Sequence, residues 1–186
     1  QFEYYDGMIR IPEGSAPDLK NTSFGISAEI DVPKDGAEGV LMTQGGRFSG
    51  LGLYLLEGYP VFHYNLCGVE RYALKGEDKL KPGKHVVTVD FNYDGGVGEG
   101  GEASLSVDGK KVATKRFPRT IAFRMSLDET LDIGEDTGTP VSEEYAVPFR
   151  FTGDIDKVTI SLAKEKLTEE QLNKYREGRL KAALAQ

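Results

Sequence analysis

The sequence predicts an all-β fold, a sandwich of two antiparallel sheets, finished by one short C-terminal α-helix. Three observations carry that expectation. Apolar residues alternate with polar ones in many short runs, glycine-rich reversals separate the runs, and a helical signal appears only near the end of the chain. A parallel α/β fold would need a helix between successive strands, and the sequence offers none.

In chain order, residues 1–23 come first. They mix Tyr4, Tyr5, Pro12, Gly14 and Pro17 without any periodicity and read as a linker or extended arm. Phe24, Ile26, Ala28, Ile30 and Val32 then alternate with small or polar residues, giving a strand that Pro33 ends. Further strands are expected near 38–44, 50–56, 61–66, 69–75, 85–93, 102–107, 110–116, 120–125, 129–133, 147–152 and 154–162. Glu57-Gly58 marks one reversal. Val107-Asp-Gly-Lys110 marks a two-residue hairpin, because a type I′ turn needs positive φ at both centres and Asp-Gly supplies it at little cost. Val158, Ile160 and Leu162 alternate with Lys157, Thr159 and Ser161 in the last strand. Thr168 is placed as an N-cap whose hydroxyl accepts from the N–H of Gln171, with Leu167 and Leu172 as the hydrophobic staple. Expected boundaries are an arm over 1–23, a sandwich over 24–163, and a helix and tail over 164–186.

Composition narrows the function classes. At 186 residues the chain suits one sandwich, which would bury roughly 70% of its unfolded surface. A single cysteine, Cys67, excludes an internal disulfide. No apolar run is long enough for a membrane-spanning helix, and the N-terminus has no basic-then-apolar signal, so a chain beginning at Gln1 reads as soluble or as an excised piece. A formal net charge of -7 disfavours nucleic acid as a partner, since phosphate contacts need clustered cations. The acid is uneven. Between Met125 and Phe149 stand Asp128, Glu129, Asp132, Glu135, Asp136, Glu143 and Glu144, with no lysine or arginine.

Phe151-x-Gly-x-Ile-Asp-x-Val-x-Ile160 followed by Leu167-Thr-x-x-Gln-Leu172 resembles the end of laminin-G-like, concanavalin A-like jelly-roll sandwiches. A second resemblance covers essentially the whole chain. Tyr4-Tyr-Asp-Gly-Met-Ile-Arg-Ile-Pro-Glu-Gly-Ser-Ala-Pro-Asp-Leu-Lys-Asn21 is similar to the segment leading out of the catalytic domain in large bacterial arylsulfatases. The similarity continues through Gln44-Gly-Gly-Arg47, Glu70-Arg-Tyr72, Tyr93-Asp-Gly-Gly96 and Gly134-Glu-Asp-Thr-Gly138. It implies a non-catalytic C-terminal module whose partner is the sulfatase catalytic domain of the same polypeptide. It also implies a periplasmic or extracellular setting where the parent is exported. That family's nucleophile is a formylglycine made within Cys/Ser-x-Pro/Ala-x-Arg, and the nearest text here, Cys67-Gly-Val-Glu-Arg71, has Val69 in place of Pro or Ala.

Other chemistry is weaker still. Glu29-Ile-Asp31 resembles the start of a sandwich β-glucanase catalytic strand, but Lys34 replaces its last carboxylate, and paired carboxyls are what retaining hydrolysis needs. Asp136-Thr-Gly138 has no second copy to form an aspartic dyad. Gly96-Val-Gly-Glu-Gly-Gly101 is followed by strand alternation where a dinucleotide fingerprint requires a helix. His63 and His85 lack metal-ligand spacing. Two binding expectations stand. Calcium would be held by Glu135 and Asp136 in the acidic stretch, since the ion takes six to eight oxygen ligands. A sulfated or acidic glycan would meet Arg47, Tyr54, Tyr59, His63, Arg71 and Tyr72, because aromatic faces stack on sugars and guanidinium forks suit sulfate and carboxylate. A docking module is the first reading and a glycan-binding module the alternative.

Overall fold

The computed structural model describes residues 1–163 and 169–184. Two six-stranded antiparallel sheets face each other. The first contains, in spatial order, β1 (Phe2–Tyr4), β12 (Asp154–Leu162), β3 (Phe24–Val32), β8 (Gly83–Tyr93), β9 (Gly101–Val107) and β10 (Lys110–Phe117). The second contains β2 (Ile11–Pro12), β11 (Thr130–Ile133), β4 (Gly39–Gly45), β5 (Gly50–Leu56), β6 (Tyr59–Leu66) and β7 (Glu70–Lys75).

The period-two pattern sets which side chains meet between the sheets. Register aligns Ile160, Ile26, Val89 and Leu105 in one row of the first sheet and Leu53, Phe62 and Leu74 in one row of the second. All seven are buried. Phe117 packs into the aromatic part of this core, stacked on Tyr72 at 4.6 Å and within 5.6 Å of Tyr64 and Phe91. The expected hairpins are present. Asp108 and Gly109 have φ of 50° and 76°, Glu57 and Gly58 have 52° and 85°, and both pairs match the positive-φ centres of a type I′ turn.

Three expectations change. Residues 1–23 are expected as an arm outside the sheets, yet they supply an edge strand to each sheet. Phe2 to Tyr4 pair with Ile160 to Val158, and Ile11 pairs with Leu131. Segments of two and three residues are too short to display a period. Asn21 fixes the exit from this segment at φ 55°, donating from Nδ2 to Ala122 O at 2.6 Å and accepting from Gly98 N–H at 2.7 Å and Tyr93 O–H at 3.2 Å. The strand expected at 120–125 is a loop, because side chains satisfy its backbone: Ile121 N–H donates to Tyr64 Oη at 2.9 Å and Met125 N–H to the Glu13 carboxylate at 3.1 Å. Nor do residues 147–152 form a strand. Pro148 lacks an N–H, and the segment's bonds go to scattered partners, Val40 N–H donating to Phe149 O and Phe151 N–H to Gly134 O.

The helix α1 spans Glu169–Leu184. The Thr168 cap and the Leu167 end of the staple lie outside the described residues, as do the side chains of Leu172 and Tyr175. Gly178 stands inside the helix. The ring of Phe123 occupies the space a Cβ there would need.

Candidate functional site

On β5 the residues Leu51, Leu53 and Leu55 turn toward the core, so Gly50, Gly52 and Tyr54 face outward. The same alternation puts Val61, His63 and Asn65 on the outer face of β6 and Arg71, Ala73 and Lys75 on that of β7. His63 therefore lies between Gly52 and Ala73 in one cross-strand row. Neither neighbour has a side chain large enough to shield or bond it.

The segment from Gly134 to Phe149 crosses this face as a roof. Val40, Tyr54, Val61 and Tyr145 form a second, smaller buried cluster, joined by Leu56, Val147 and Phe149. Tyr145 meets Tyr54 edge-on at 5.2 Å and stacks on Phe149 at 4.8 Å. One phenol pins the roof to the sheet and another braces it internally, each by bonding a carboxylate. Tyr54 O–H donates to Glu144 Oε2 at 2.9 Å, and Tyr145 O–H donates to Asp136 Oδ2 at 2.6 Å. Burial, reinforced by these carboxylates, holds both phenols far above the ordinary tyrosine range. Burial likewise pushes the Asp136 carboxyl up to about 6, against the lowering effect of the Tyr145, Gly138 and Val141 hydrogen bonds.

His63 is 5% exposed, and neither of its ring nitrogens has a hydrogen-bond partner among the described residues. Arg71 Nε is also buried without one. The Arg71 guanidinium reaches Glu143 Oε1 from Nη1 at 3.2 Å, in an ion pair whose acid is largely solvent-exposed. Burial lowers the His63 imidazole to about 4; Arg71 and Lys115 add to that effect, while Glu144 and Glu143 oppose it. The ring is neutral at pH 7. Two cationic or donor groups with unspent hydrogen-bonding capacity thus sit beneath one exposed carboxylate.

Of the six residues expected to meet a glycan, Tyr54, His63 and Arg71 come together here. The others do not join them. Tyr72 follows Arg71 on β7 and so points the opposite way, into the core against Phe117, with its hydroxyl bonded to Glu70. Tyr59 stands at the far end of β6 beneath the ammonium groups of Lys75 and Lys79, at 4.8 and 5.3 Å from its ring. Arg47 is at the exposed tip between β4 and β5, where its N–H donates to Thr139 Oγ1. Glu143, Glu144 and Tyr145 complete the cluster. The sequence signal for them is the acid-rich stretch, whose chemistry suggests calcium before it suggests a roof.

Glu135 and Asp136 do not fit a shared calcium. Asp136 is turned inward to Tyr145. The neighbouring acids are committed to N–H and O–H donors: Asp132 to Thr137, Thr130 and the Arg10 N–H, and Glu129 to Thr139. Among the described residues no group of three or more His, Cys, Asp or Glu side chains converges with metal-holding geometry. Cys67 has φ 53° and precedes Gly68 at φ 69°, so it occupies the centre of the tight reversal between β6 and β7. Glu29, on the outer face of β3, pairs with Lys157 at 3.4 Å.

No protein-family model matches the sequence, and no curated protein matches it. Among solved structures, the chain is similar to the Ruminococcus gnavus IT-sialidase CBM40 bound to alpha2,3 sialyllactose, with TM-score 0.58 and 16% identity over 92% of this chain and 95% of that one. It is also similar to domains LG4-5 of the mouse laminin alpha1 chain, with TM-score 0.59 and 17% identity over 88% of this chain and 42% of that one. The laminin alpha2 LG1-3 region gives TM-score 0.55 and 13% identity over 90% of this chain and 32% of that one. At these identities the likeness fixes the fold alone: a laminin-G-like, concanavalin A-like sandwich.

Proposed function

We propose that this chain is a non-catalytic binding module whose ligand is a carbohydrate. The observation that carries the reading is the cluster on the outer face of the second sheet, where Tyr54, His63 and Arg71 converge and His63 and Arg71 retain unpaired buried nitrogens. Sugar recognition uses such a pairing of guanidinium fork and polar side chain, and the buried Tyr54 holds the pair from behind. A sialidase's carbohydrate-binding module with the same fold, solved with sialyllactose, lends the reading further support. The test is calorimetric titration of the purified chain with lactose, sialyllactose and a sulfated disaccharide. Saturable heat with at least one of them is expected; none with any would refute the reading.

A second reading has its own observation. Phe2, Tyr5 and Met8 are exposed apolar side chains on the N-terminal segment, which suits docking on a preceding domain, and the resemblance to arylsulfatases makes that domain a sulfatase catalytic domain. A Cys/Ser-x-Pro-x-Arg motif in the reading frame upstream of Gln1 would support it. In either role the chain alone turns over no aryl sulfate. Activity on a chromogenic aryl sulfate that vanished in Cys67→Ala would overturn that statement.

A further inference from the structure

We infer that Arg71 and His63 form an oxyanion site, closed in the free protein by Glu143, that takes the sulfate or carboxylate group of an acidic glycan. The inference rests on the carbohydrate reading only for what carries the anion.

Unspent donors point to a ligand. A guanidinium offers five N–H donors in a planar fork suited to two oxygens at once. Arg71 gives Glu143 a single contact from Nη1, and its Nε is buried with no partner among the described residues. His63 adds two more buried nitrogens without a partner. Orphaned buried polar groups are rare in folded proteins because each forfeits its hydration, and three in one place mark a site that a ligand completes.

The cover can also leave alone. Among the described residues the Glu143 side chain is anchored by its contact to Arg71 alone, and it is 76% exposed. The roof around it is held by other residues, Glu144 bonded to Tyr54 of the sheet and the Tyr145 ring packed against the Tyr54 ring, while Tyr145 and Asp136 tie the roof to itself. An incoming oxyanion can therefore replace the Glu143 carboxylate on Arg71 without unseating the segment. It would hold a stronger position than Glu143, because a three-oxygen group or a free carboxylate can engage the fork and reach the imidazole together. Charge is consistent with this exchange. The groups facing His63 are Arg71 on β7, Lys115 on β10, and Glu143 and Glu144 on the roof, so displacing Glu143 and substituting a bound anion keeps the local balance.

The experiment is proton NMR of the imidazole Hε1 resonances, with His63 and His85 distinguished by a His85→Gln variant. Inorganic sulfate, a sulfated disaccharide, sialyllactose and neutral lactose are titrated separately. The expected result is a saturable shift of the His63 signal with the anionic probes and not with lactose. Its titration midpoint should also rise when an anion is bound. Glu143→Gln should tighten sulfate by roughly two- to fivefold, the worth of one exposed ion pair. Arg71→Gln should abolish the shift. Arg71→Lys, which keeps the charge but loses the fork, should weaken it, so the test survives poor folding of the first variant. A His63 signal unmoved by every anion, or moved equally in both Arg71 variants and the wild type, overturns the site. Glycan binding that persists unchanged in the Arg71 variants overturns the site and leaves the carbohydrate reading standing. A sulfate response without any glycan binding leaves the site standing and removes the carbohydrate reading.

Discussion

Replacing Asp136 by Asn should expose a pH dependence of stability that the wild-type chain partly offsets. Asp136 is 1% exposed, and its carboxyl titrates at about 6 in the folded protein against 3.8 when unfolded. The folded state therefore holds its proton more tightly. Stability from this group is fully present below the unfolded pKa and is lost as pH rises through 6. His63 works in the opposite direction. Its folded value of about 4 lies below 6.5, so its stability is present above 6.5 and is lost as pH falls through 4.

Between pH 7 and pH 5 the two oppose each other. Each tenfold difference in proton affinity between the folded and unfolded chain is worth about 1.36 kcal/mol, so acidification gains about 1 kcal/mol from Asp136 and loses about 2 kcal/mol at His63. From this pair the wild type should change less than Asp136→Asn does. Asp136→Asn leaves the histidine alone, so its stability should fall by about 2 kcal/mol over the same range, whereas His63→Gln should become more stable on acidification by about 1 kcal/mol. Glu70, Asp94 and Asp108 titrate lower than usual, and their contributions disappear only below about pH 4–5, outside this window. Urea unfolding at pH 5, 6 and 7, followed by tyrosine fluorescence in this tryptophan-free chain, measures all three proteins. Parallel pH profiles for the wild type and Asp136→Asn would refute the assignment of opposing buried charges.

The remaining predictions concern packing and anchorage. Phe117→Ala removes the ring that Tyr72, Tyr64 and Phe91 surround and should cost ~3–5 kcal/mol in the same urea assay. Asn21→Ala loses the bonds to Ala122, Gly98 and Tyr93 and puts alanine at φ 55°, a conformation asparagine tolerates better, for an expected loss of about 3 kcal/mol. Deleting residues 1–12 strips both edge strands together with buried Tyr4, so the melting temperature should fall by more than 5 °C, at about 4–8 °C per kcal/mol in a small domain and half that in one of this size. A truncated chain with unchanged melting would mean that the segment is a true arm.

The strands are legible in the sequence because alternation and positive-φ turns are local facts of the chain. Phe24 to Val32 and Lys157 to Leu162 declare their buried faces without reference to any neighbour. The edge strands are not legible, since Phe2–Tyr4 and Ile11–Pro12 are held by partners more than a hundred residues away in sequence. Apolar content misleads at 120–125, where Ile121 and Met125 are indeed buried, but as loop residues whose N–H groups meet side chains. Site residues pose a different problem. Arg71 and Tyr72 are adjacent in sequence and invite grouping, yet the pleat sends one outward and the other into the core. Composition identifies an acid-rich stretch, but only tertiary geometry shows that its carboxylates serve tyrosines, threonines and Arg71 instead of converging.

The two proposed surfaces are linked by the roof itself. Its first residue, Gly134, lies against Asp6, and a Cβ there would strike the Asp6 carboxylate. Just past its end, Arg150 pairs with the same Asp6 at 3.7 Å, and Phe151 N–H donates back to Gly134 O at 2.8 Å. The N-terminal turn is tied in at the same point, since Ile133 N–H donates to Met8 O at 3.1 Å. Exposed Tyr5 and Met8 thus flank the place where both ends of the roof meet, while Glu143 sits midway along it. The proposed docking turn and the proposed anion site therefore lie along one segment and share no residue.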